Sequence, residues 1–433
     1  MSRYLINHAN IKEWAKNYDG EPFDAILCDP PYELGFMGKS WDSSGIAFDQ
    51  EMWADLFRHI KPGGHLLAFS GSRTYHRMAV AIEDAGFEIR DMIEWVYGSG
   101  FPKSLNIGKA VDKLQGNERE SKDVTFPDGS KPRKTAGHFT VGENIPRNTK
   151  YTKGTSQWEG WGTALKPAHE PCVLARKPIE GTVANNVLKH GTGGLNIDGT
   201  RVGTEVIKHN QDHKSLQKFK EQDGRTHKEV ENPEPTYNTG RFPANLIHDG
   251  SDEVEAVFPQ TKSQAGVKNL PTSNIYGGNS LLNSKTVGTG QVTGFTDSGS
   301  ASRFFYCAKA SKSERNAGLE GFEEVVRNDG RNTELASGHM PQNRSNTPKA
   351  NHHPTVKPLS LTKYLATLIK PPTGGRLLVP FSGSGSEMIG ALQAGWEYVE
   401  GVELTEEYIP IAEARIKYWL SLKKEESNQL ELV

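Results

Sequence analysis

The chain has 433 residues and a net charge of −2, so it is long enough for two or three domains, and any affinity for nucleic acid must be regional. Its three cysteines, Cys28, Cys172 and Cys307, lie far apart without a C-x-x-C pair, which excludes a disulfide framework and a cysteine zinc site. No apolar run approaches the ~18 residues of a membrane span and no signal-peptide pattern opens the sequence, so we expect a soluble, cytoplasmic protein without a membrane partner.

The first 110 residues alternate between predicted strands and predicted helices. Apolar residues occur in short runs typical of buried strands, and then at helical spacing, several times in succession. This alternation predicts an α/β fold with a doubly wound parallel sheet. The predicted strands cover residues 4–6, 23–28, 65–70 and 89–97, the predicted helices cover residues 11–16, 48–60 and 75–85, and residues 61–64 are expected to end the second helix.

The second of these strands runs into Asp29-Pro30-Pro31-Tyr32. Two prolines cannot donate hydrogen bonds to a sheet ladder, so the strand must stop there. Open α/β sheets bind ligands at the carboxyl ends of their strands. The turn offers the Asp29 carboxylate and the Pro30 carbonyl as acceptors beside the Tyr32 ring, which suits a flat ring that carries an exocyclic amine. An ordinary surface turn explains the tetrapeptide on its own equally well.

The strand 89–97 leads into a loop that contains Tyr97, Phe101 and Lys103 among small residues. Two aromatic rings and a cation of this kind can line a pocket for a base. A glycine-rich turn with core aromatic residues is the simpler interpretation of the loop when it is considered alone.

Residues 111–350 largely lack periodicity and are rich in Gly, Ser, Asn, Thr and Lys. Within them, residues 170–177 predict a short strand, which we expect to complete the sheet as an antiparallel edge. Residues 241–247 and 303–307 predict small structured islands. So much irregular chain is uncommon in a compact domain unless the loops are functional.

Two parts of the chain carry a local basic excess. Residues 101–170 contain 12 Lys/Arg against 8 Asp/Glu, and residues 261–360 contain 12 against 7. Basic, amide-rich loops suit the backbone and base edges of DNA. A solvated insertion explains the same composition equally well.

The C-terminal residues predict a βαβ unit. A strand at 376–380 leads into Phe381-Ser382-Gly383-Ser384-Gly385-Ser386, and a helix follows at 387–394. The next strand, 398–402, ends at Glu403. The glycines let the backbone approach a ligand closely, and a carboxylate at that position can accept hydrogen bonds from both ribose hydroxyls, so the unit predicts an adenosine-containing cofactor. Further helices are expected at 361–369 and 407–420.

The spacing of these glycines narrows the choice of cofactor. The dinucleotide fingerprint G-x-G-x-x-G would need its third glycine at Met388, and the Gly-Lys-Ser/Thr of a P-loop is absent from the turn. F-x-G-x-G suits a nucleoside without phosphates, for which S-adenosyl-L-methionine is the natural candidate. A nicotinamide enzyme would leave Asp-Pro-Pro-Tyr unexplained.

Together the two motifs resemble the amino-methyltransferases of DNA. Asp-Pro-Pro-Tyr comes first and F-x-G-x-G last, an order similar to that of the β class, whose fold is circularly permuted. The stretches WVYGSGFPKS, GWGTALKPAHEPCVLARKP and HPTVKP resemble phage and prophage adenine-N6 methylases in particular. The resemblance is strong over about residues 1–110, 158–200 and 350–420.

The resemblance implies a division of the chain and a set of site residues. Residues 1–180 would form the catalytic half, 181–345 an insertion for target recognition, 346–424 the cofactor-binding half and 425–433 a tail. It implies catalytic roles for Asp29, Pro30, Pro31 and Tyr32; cofactor contacts for Phe381, Gly383, Ser384, Gly385, Glu403, Lys357 and Asp29; and a base pocket made by Tyr32, Tyr97, Phe101 and Lys103, without a metal.

Two positions depart from the family pattern. The strand before the glycine-rich turn usually ends in Asp-Pro-Phe, and here Val379 replaces the acid that holds the methionine amino group of the cofactor. The first strand usually runs into Gly-Asp, and here it meets residues 7–10, Asn-His-Ala-Asn. Each change would weaken cofactor affinity by ~1–3 kcal/mol, the range for a charged hydrogen bond. Glu387, just inside the following helix, is a candidate electrostatic substitute.

The activity that the resemblance implies is methyl transfer from S-adenosyl-L-methionine to adenine N6 of a base flipped out of double-stranded DNA. Asp at the first position of the catalytic motif favours adenine, whereas Ser favours cytosine N4. Cytosine-N4 methylation is the alternative within the class, and a catalytically weak methylase-like DNA-binding protein is the alternative outside it. The recognition sequence, a homodimer and a cognate restriction endonuclease stay open.

Overall fold

A nine-stranded, mostly parallel sheet organises the computed structural model. The structure describes residues 3–34, 40–98, 100, 104–123, 150–209, 236–262, 266–267, 292–293, 298–308, 313–325 and 350–430. The strands, in chain order, are β1 (Arg3–His8), β2 (Phe23–Cys28), β3 (Ile60–Phe69), β4 (Glu88–Val96), β5 (Glu120–Asp123), β6 (Lys150–Lys153), β7 (His169–Arg176), β8 (Val202–His209), β9 (Thr236–Arg241), β10 (Leu246–His248), β11 (Gln260–Lys262), β12 (Gly266–Val267), β13 (Val292–Thr293), β14 (Ser298–Ser300), β15 (Tyr306–Cys307), β16 (Arg376–Val379) and β17 (Tyr398–Glu403).

Helices cover both faces of this sheet. Along β2, Ala25 and Leu27 belong to one apolar cluster, while Ile26 and Cys28 belong to the other. A strand buried on both faces is typical of a parallel sheet in a doubly wound fold, which confirms the predicted fold class. The described α-helices are α1 (Ile11–Asn17), α2 (Gln50–Arg58), α3 (Tyr75–Asp84), α4 (Ile107–Gln115), α5 (Val183–His190), α6 (Asp252–Glu255), α7 (Leu359–Leu368), α8 (Ser386–Gln393) and α9 (Ile409–Leu430).

The strand order places the two ends of the chain side by side. It runs β1-β17-β16-β2-β3-β7-β4-β10-β15, so the C-terminal strands β16 and β17 lie between the N-terminal strands β1 and β2. This is the permuted arrangement expected from the order of the motifs. Because Leu377 pairs with Ala25 and Leu378 with Ile26, the carboxyl ends of β16 and β2 meet at the point where the strand order reverses.

The strand predicted as an edge lies inside the sheet, so that prediction is wrong. β7 pairs antiparallel with β3 on one side and with β4 on the other. The sheet extends beyond β4, because β10 pairs in parallel with β4 and β15 pairs in parallel with β10. These two strands come from the two segments that the sequence predicts to be small structured islands. The charge and periodicity of a single strand do not reveal which neighbours it will find.

Residues 61–64, which the sequence predicts to lie between the second helix and the next strand, differ from that prediction because they belong to the strand. Residues 61–64 belong to β3, because Ile60 already pairs with Phe23 and the register then shifts to His65 opposite Ala25. Gly64 permits this irregularity, since a Cβ there would lie 2.7 Å from the Asp24 carbonyl oxygen. None of the helices in the described ranges combines the length and the apolar character needed to cross a membrane.

Candidate active site

A cavity of about 1430 Å³ opens at the carboxyl ends of β16 and β2. Parts of the chain that are distant in sequence form its wall. They are residues 9–12 after β1, 29–32 after β2, 162–170 before and in β7, 353–357 before α7, and 380–387 after β16. The position agrees with the switch point at which open α/β sheets bind ligands.

Asp29 lies at the wall of this cavity with its carboxylate almost entirely buried. Its Oδ2 accepts a hydrogen bond from Lys357 Nζ at 2.6 Å. Its Oδ1 is buried and has no hydrogen-bond partner among the described residues. Burial raises the pKa of the Asp29 carboxyl, the Lys357 ammonium opposes that rise, and nearby Glu170 adds to it. Asp29 therefore holds one committed and one available acceptor oxygen.

Tyr32 is fixed by hydrogen bonds at both its ends. Its hydroxyl donates to Glu170 Oε2 at 2.8 Å and accepts from Lys357 Nζ at 3.0 Å, while its carbonyl oxygen accepts from Thr74 Oγ1 at 2.8 Å. Burial, together with the charges of Asp29 and Glu170, raises the pKa of the Tyr32 phenol well above its usual value. The ring is thus held neutral and in one orientation beside Asp29.

Lys357 joins these side chains. Besides Asp29 and Tyr32, its Nζ lies 3.3 Å from Glu170 Oε2, and its charge lies 4.8 Å from the centre of the Phe69 ring. Burial lowers the pKa of Lys357, but the carboxylates of Asp29 and Glu170 outweigh that effect and hold the pKa above its ordinary value. The lysine is therefore a permanent cation in the floor of the cavity.

The glycine-rich turn after β16 forms the neighbouring wall. Gly383 and Gly385 adopt φ values of 48° and 82°, in the left-handed region that favours glycine. Glu403, at the end of β17, accepts hydrogen bonds from the Gly383 amide at 2.7 Å and from the Thr405 amide at 2.8 Å. Each carboxylate oxygen can accept one more hydrogen bond, so Glu403 fits a pair of ribose hydroxyls.

A buried arginine supports the turn from behind. Arg415 of α9 is fully buried and donates through Nη1 to the carbonyl oxygen of Ser384, to its hydroxyl at 3.0 Å and to Ser386 Oγ at 3.2 Å. Asn351 also donates to the Ser384 hydroxyl, at 3.3 Å. Burial lowers the pKa of Arg415 to about 10. These contacts fix the turn in the shape that a closely approaching ligand needs.

Most of the predicted site residues meet in this cavity. The Asp-Pro-Pro-Tyr turn, Tyr97, Lys357, Phe381, Gly383, Ser384 and Glu403 line it. Gly385 caps α8 just behind it. The resemblance implies a cofactor contact for Lys357, and in the structure its ammonium binds the carboxylates of Asp29 and Glu170. Phe101 and Lys103, predicted for the base pocket, lie outside the described residues.

Two residues of the site were missed by the sequence-based prediction. The sequence pattern indicates Glu170 only as the start of a strand, although a carboxylate at the end of an otherwise apolar run is a usable signal. Arg415 lies in an amphipathic helix and has no local signal, because its partners Ser384 and Ser386 lie about 30 residues earlier in the chain.

The two places at which the sequence departs from the family pattern, Val379 and residues 7–10, have different surroundings in the structure. Val379 is fully buried in the core. Asn10 lines the cavity and caps α1 by accepting a hydrogen bond from the Lys12 amide. Asp49, which the sequence did not single out, lines the cavity nearby and pairs with Lys12 at 2.6 Å. Asp49 therefore brings an acidic group to the part of the cavity beside Asn10, from a different segment of the chain.

Most of the chain matches one family of proteins. The sequence model of the N6/N4 methylases, described as DNA methylase, matches residues 23–414. The chain is 25% identical over 150 residues to the type II methyltransferase M.HindIII of Haemophilus influenzae, a match that covers 34% of this chain and 37% of that protein. It is 28% identical over 132 residues to M.HpaI of Haemophilus parainfluenzae, covering 29% and 42%. The chain thus matches less than half the length of these relatives.

Among solved structures, the crystal structure of an M1.HpyAVI–SAM complex aligns with 96% of this chain and 99% of its own length. The TM-score of that alignment is 0.38, and the sequence identity is 14%.

Proposed function

Since the chain belongs to the N6/N4 DNA methylase family, we propose that it methylates adenine N6 at specific sites in double-stranded DNA. S-adenosyl-L-methionine is the cofactor, and when bound it supplies a methyl group carried on a positively charged sulfur. One observation carries the proposal: a buried Asp29 with an available acceptor oxygen lines the same cavity as the F-x-G-x-G turn.

Asp29 and the Pro30 carbonyl act on the nucleophile. The exocyclic amine of adenine is a weak nucleophile because its lone pair is delocalised into the ring. Asp29 Oδ1 and the Pro30 oxygen would accept its two N–H hydrogens, which favours a pyramidal nitrogen with its lone pair available for bonding. The nitrogen would then gain the methyl group as the sulfur–methyl bond breaks, and S-adenosylhomocysteine would leave with that electron pair. The carboxylate, whose pKa burial raises, then accepts the proton that the methylated nitrogen must lose.

Lys357 and Tyr32 prepare the position of the base. Lys357 holds Asp29 Oδ2, so the carboxylate keeps one orientation and its other oxygen stays available. The neutral Tyr32 ring, fixed through its hydroxyl, offers a flat surface on which the flipped base stacks. A duplex must release the base into the cavity, since its amine is otherwise out of reach.

Adenine is the favoured substrate because the catalytic motif begins with Asp29 and not with Ser. The family includes methylases of adenine N6 and of cytosine N4, so cytosine N4 is the second candidate. The M.HindIII and M.HpaI relatives are type II methyltransferases. We extend to this chain a restriction-modification or phage-type role in the cytoplasm, with residues 181–345 reading the DNA sequence.

The experiment uses chromosomal DNA without adenine or cytosine methylation and a tritiated methyl donor. The wild-type protein should label the DNA, and digestion to nucleosides should place the label on N6-methyladenine. Asp29→Ala should abolish labelling while calorimetry still shows binding of S-adenosylhomocysteine. Asp84→Ala, on the exposed face of α3, is the matched control.

Label on N4-methylcytosine alone would replace adenine by the second candidate. Retained labelling by Asp29→Ala would remove the role assigned to that carboxylate. Cofactor binding without labelling of any DNA would support the non-catalytic alternative.

A further inference from the structure

The cofactor side of the site lacks one acid of the family pattern, and a different acid lies close to that position in the chain. Val379 occupies the position at which the pattern places the acid for the methionine amino group, and its side chain is fully buried in the core. Glu387 lies eight residues later, in the first turn of α8. Glu387 is buried, with 4% of its surface exposed, and it lines the cavity.

Glu387 is a buried carboxylate that lacks an ion-pair partner within 4.0 Å among the described residues. Titratable or charged groups from different parts of the chain interact with its charge: Cys28 at the end of β2, Asp29 after β2, Lys357 before α7 and Arg415 of α9. Lys357 is committed to Asp29 and Glu170, and Arg415 donates to Ser384 and Ser386. Neither cation makes a direct contact with the Glu387 carboxylate.

The charge of this region favours a cationic ligand. Asp29 and Glu170 pair directly with the Lys357 ammonium, whereas Glu387 interacts with Lys357 and Arg415 only through their charges, without a direct ion pair. Burial raises the pKa of Glu387 to about 7, and the charge of Asp29 adds to the rise. A positive group placed here would stabilise the ionised carboxylate, since an unpaired buried charge is costly.

We propose that Glu387 binds the ammonium group of the cofactor's methionine part and thereby replaces the acid that is missing at Val379. The inference rests on the proposed use of S-adenosyl-L-methionine. Glu403 accepts a hydrogen bond from the Gly383 amide within the glycine-rich turn, and Glu387 follows that turn directly in the chain. Both carboxylates line the cavity, so one is placed to bind the ribose and the other to bind the amino acid.

The test compares two ligands that differ at one end. S-adenosylhomocysteine carries the amino acid, whereas 5′-methylthioadenosine has the same nucleoside and sulfur without it. Glu387→Gln preserves the shape of the side chain and removes its charge. Calorimetry should show S-adenosylhomocysteine binding about 10 to 100 times more weakly, the range for one charged hydrogen bond, while the affinity for 5′-methylthioadenosine stays within about twofold.

The pH dependence supplies a second readout. Only ionised Glu387 pairs with the ammonium group, so the affinity of the wild-type protein for S-adenosylhomocysteine should rise between pH 6 and pH 8, with proton release on binding. Repeating the calorimetry in buffers of different ionisation heat measures that proton. Glu387→Gln should release less, and Glu413→Gln, on the outer part of α9, should behave like the wild-type protein.

Several outcomes would overturn the inference. Unchanged affinity of Glu387→Gln for S-adenosylhomocysteine would do so, and so would an equal loss for both ligands, because the amino group would then be irrelevant. In both cases, binding by the wild-type protein would leave the proposed cofactor in place. If the wild-type protein bound neither ligand, both the proposed cofactor and the role of Glu387 would be refuted.

Discussion

The chemistry of the cavity depends on how a few buried charges balance one another. Burial favours the neutral form of Asp29, while the ammonium of Lys357 at 2.6 Å favours the ionised form. Glu170 Oε2 forms an ion pair with the same ammonium, 3.3 Å from Lys357 Nζ. In the proposed reaction Asp29 first accepts a hydrogen bond from the amine and then accepts its proton, and only the ionised carboxylate can take that proton. The cation beside Asp29 should therefore set the pH range of the proposed activity.

Replacing Lys357 should therefore shift the pH profile. In Lys357→Met the opposing cation is gone and the pKa of Asp29 rises further, so activity is lost at a higher pH as the solution is acidified. We expect the acidic limb of kcat/KM to move to higher pH, with a loss of about tenfold or more on the acidic side that is partly recovered at pH 9.

Measuring DNA methylation from pH 5.5 to 9 tests this. Lys363→Met is the matched control, because Lys363 is an exposed lysine of α7, the helix that follows Lys357. An unchanged acidic limb in Lys357→Met would show that the cation does not govern the ionisation of Asp29.

Strand β7 carries one carboxylate of the cavity and lies in the interior of the sheet. It carries Glu170 near its beginning and lies between β3 and β4, with Cys172 opposite both Phe69 and Ile93. An interior strand has its amides bonded on both sides, whereas every second amide of an edge strand such as β1 faces away from the ladder. Glu170 is thus anchored in one of the most restrained parts of the sheet.

Hydrogen exchange should reveal this difference directly. Amides of Cys172–Ala175 should exchange only with global unfolding, and clearly more slowly than those of Tyr4–Asn7 in the edge strand β1. Exchange mass spectrometry on peptides that cover the two strands gives the comparison. Equal rates would contradict the interior position of β7.

Across the whole chain, the site depends on contacts between its two ends. Asp29 and Lys357 are 328 residues apart, and β1 pairs with β17 along its full length from Arg3 to His8. The cavity is closed only when the N-terminal and C-terminal strands have joined one sheet. A ligand in the cavity therefore reports on the assembly of the complete fold.

Binding of S-adenosylhomocysteine should stabilise both ends of the chain together. At 100 times its dissociation constant, the free energy of unfolding should rise by about 2.7 kcal/mol, because the ligand binds only the folded form. In calorimetric melting, the ligand should raise the melting temperature of the transition in which the sheet unfolds by a few degrees. The whole of that transition should shift together. A shift limited to a minor part of that transition would contradict a shared sheet.

Local patterns were sufficient for much of the fold. The run at 23–28 matches β2, the helix predicted over 75–85 matches α3, and the βαβ unit matches β16, α8 and β17. Periodicity, proline and glycine act over a few residues, so these elements and their motifs can be recognised without knowledge of the rest of the chain. The same motifs identify Asp29 and the turn at 381–386 as candidate site residues, and in the structure both line one cavity.

Contacts between distant residues were beyond the reach of those patterns. The interior place of β7, the ammonium of Lys357 on Asp29 and the position of Glu387 in the cavity arise from strand pairing and chain packing. The order of residues in the chain identifies the groups and the turns that present them. Which charges share one buried space depends on strands brought together from both ends of the chain, and that arrangement sets their pKa values and the ligand they can accept.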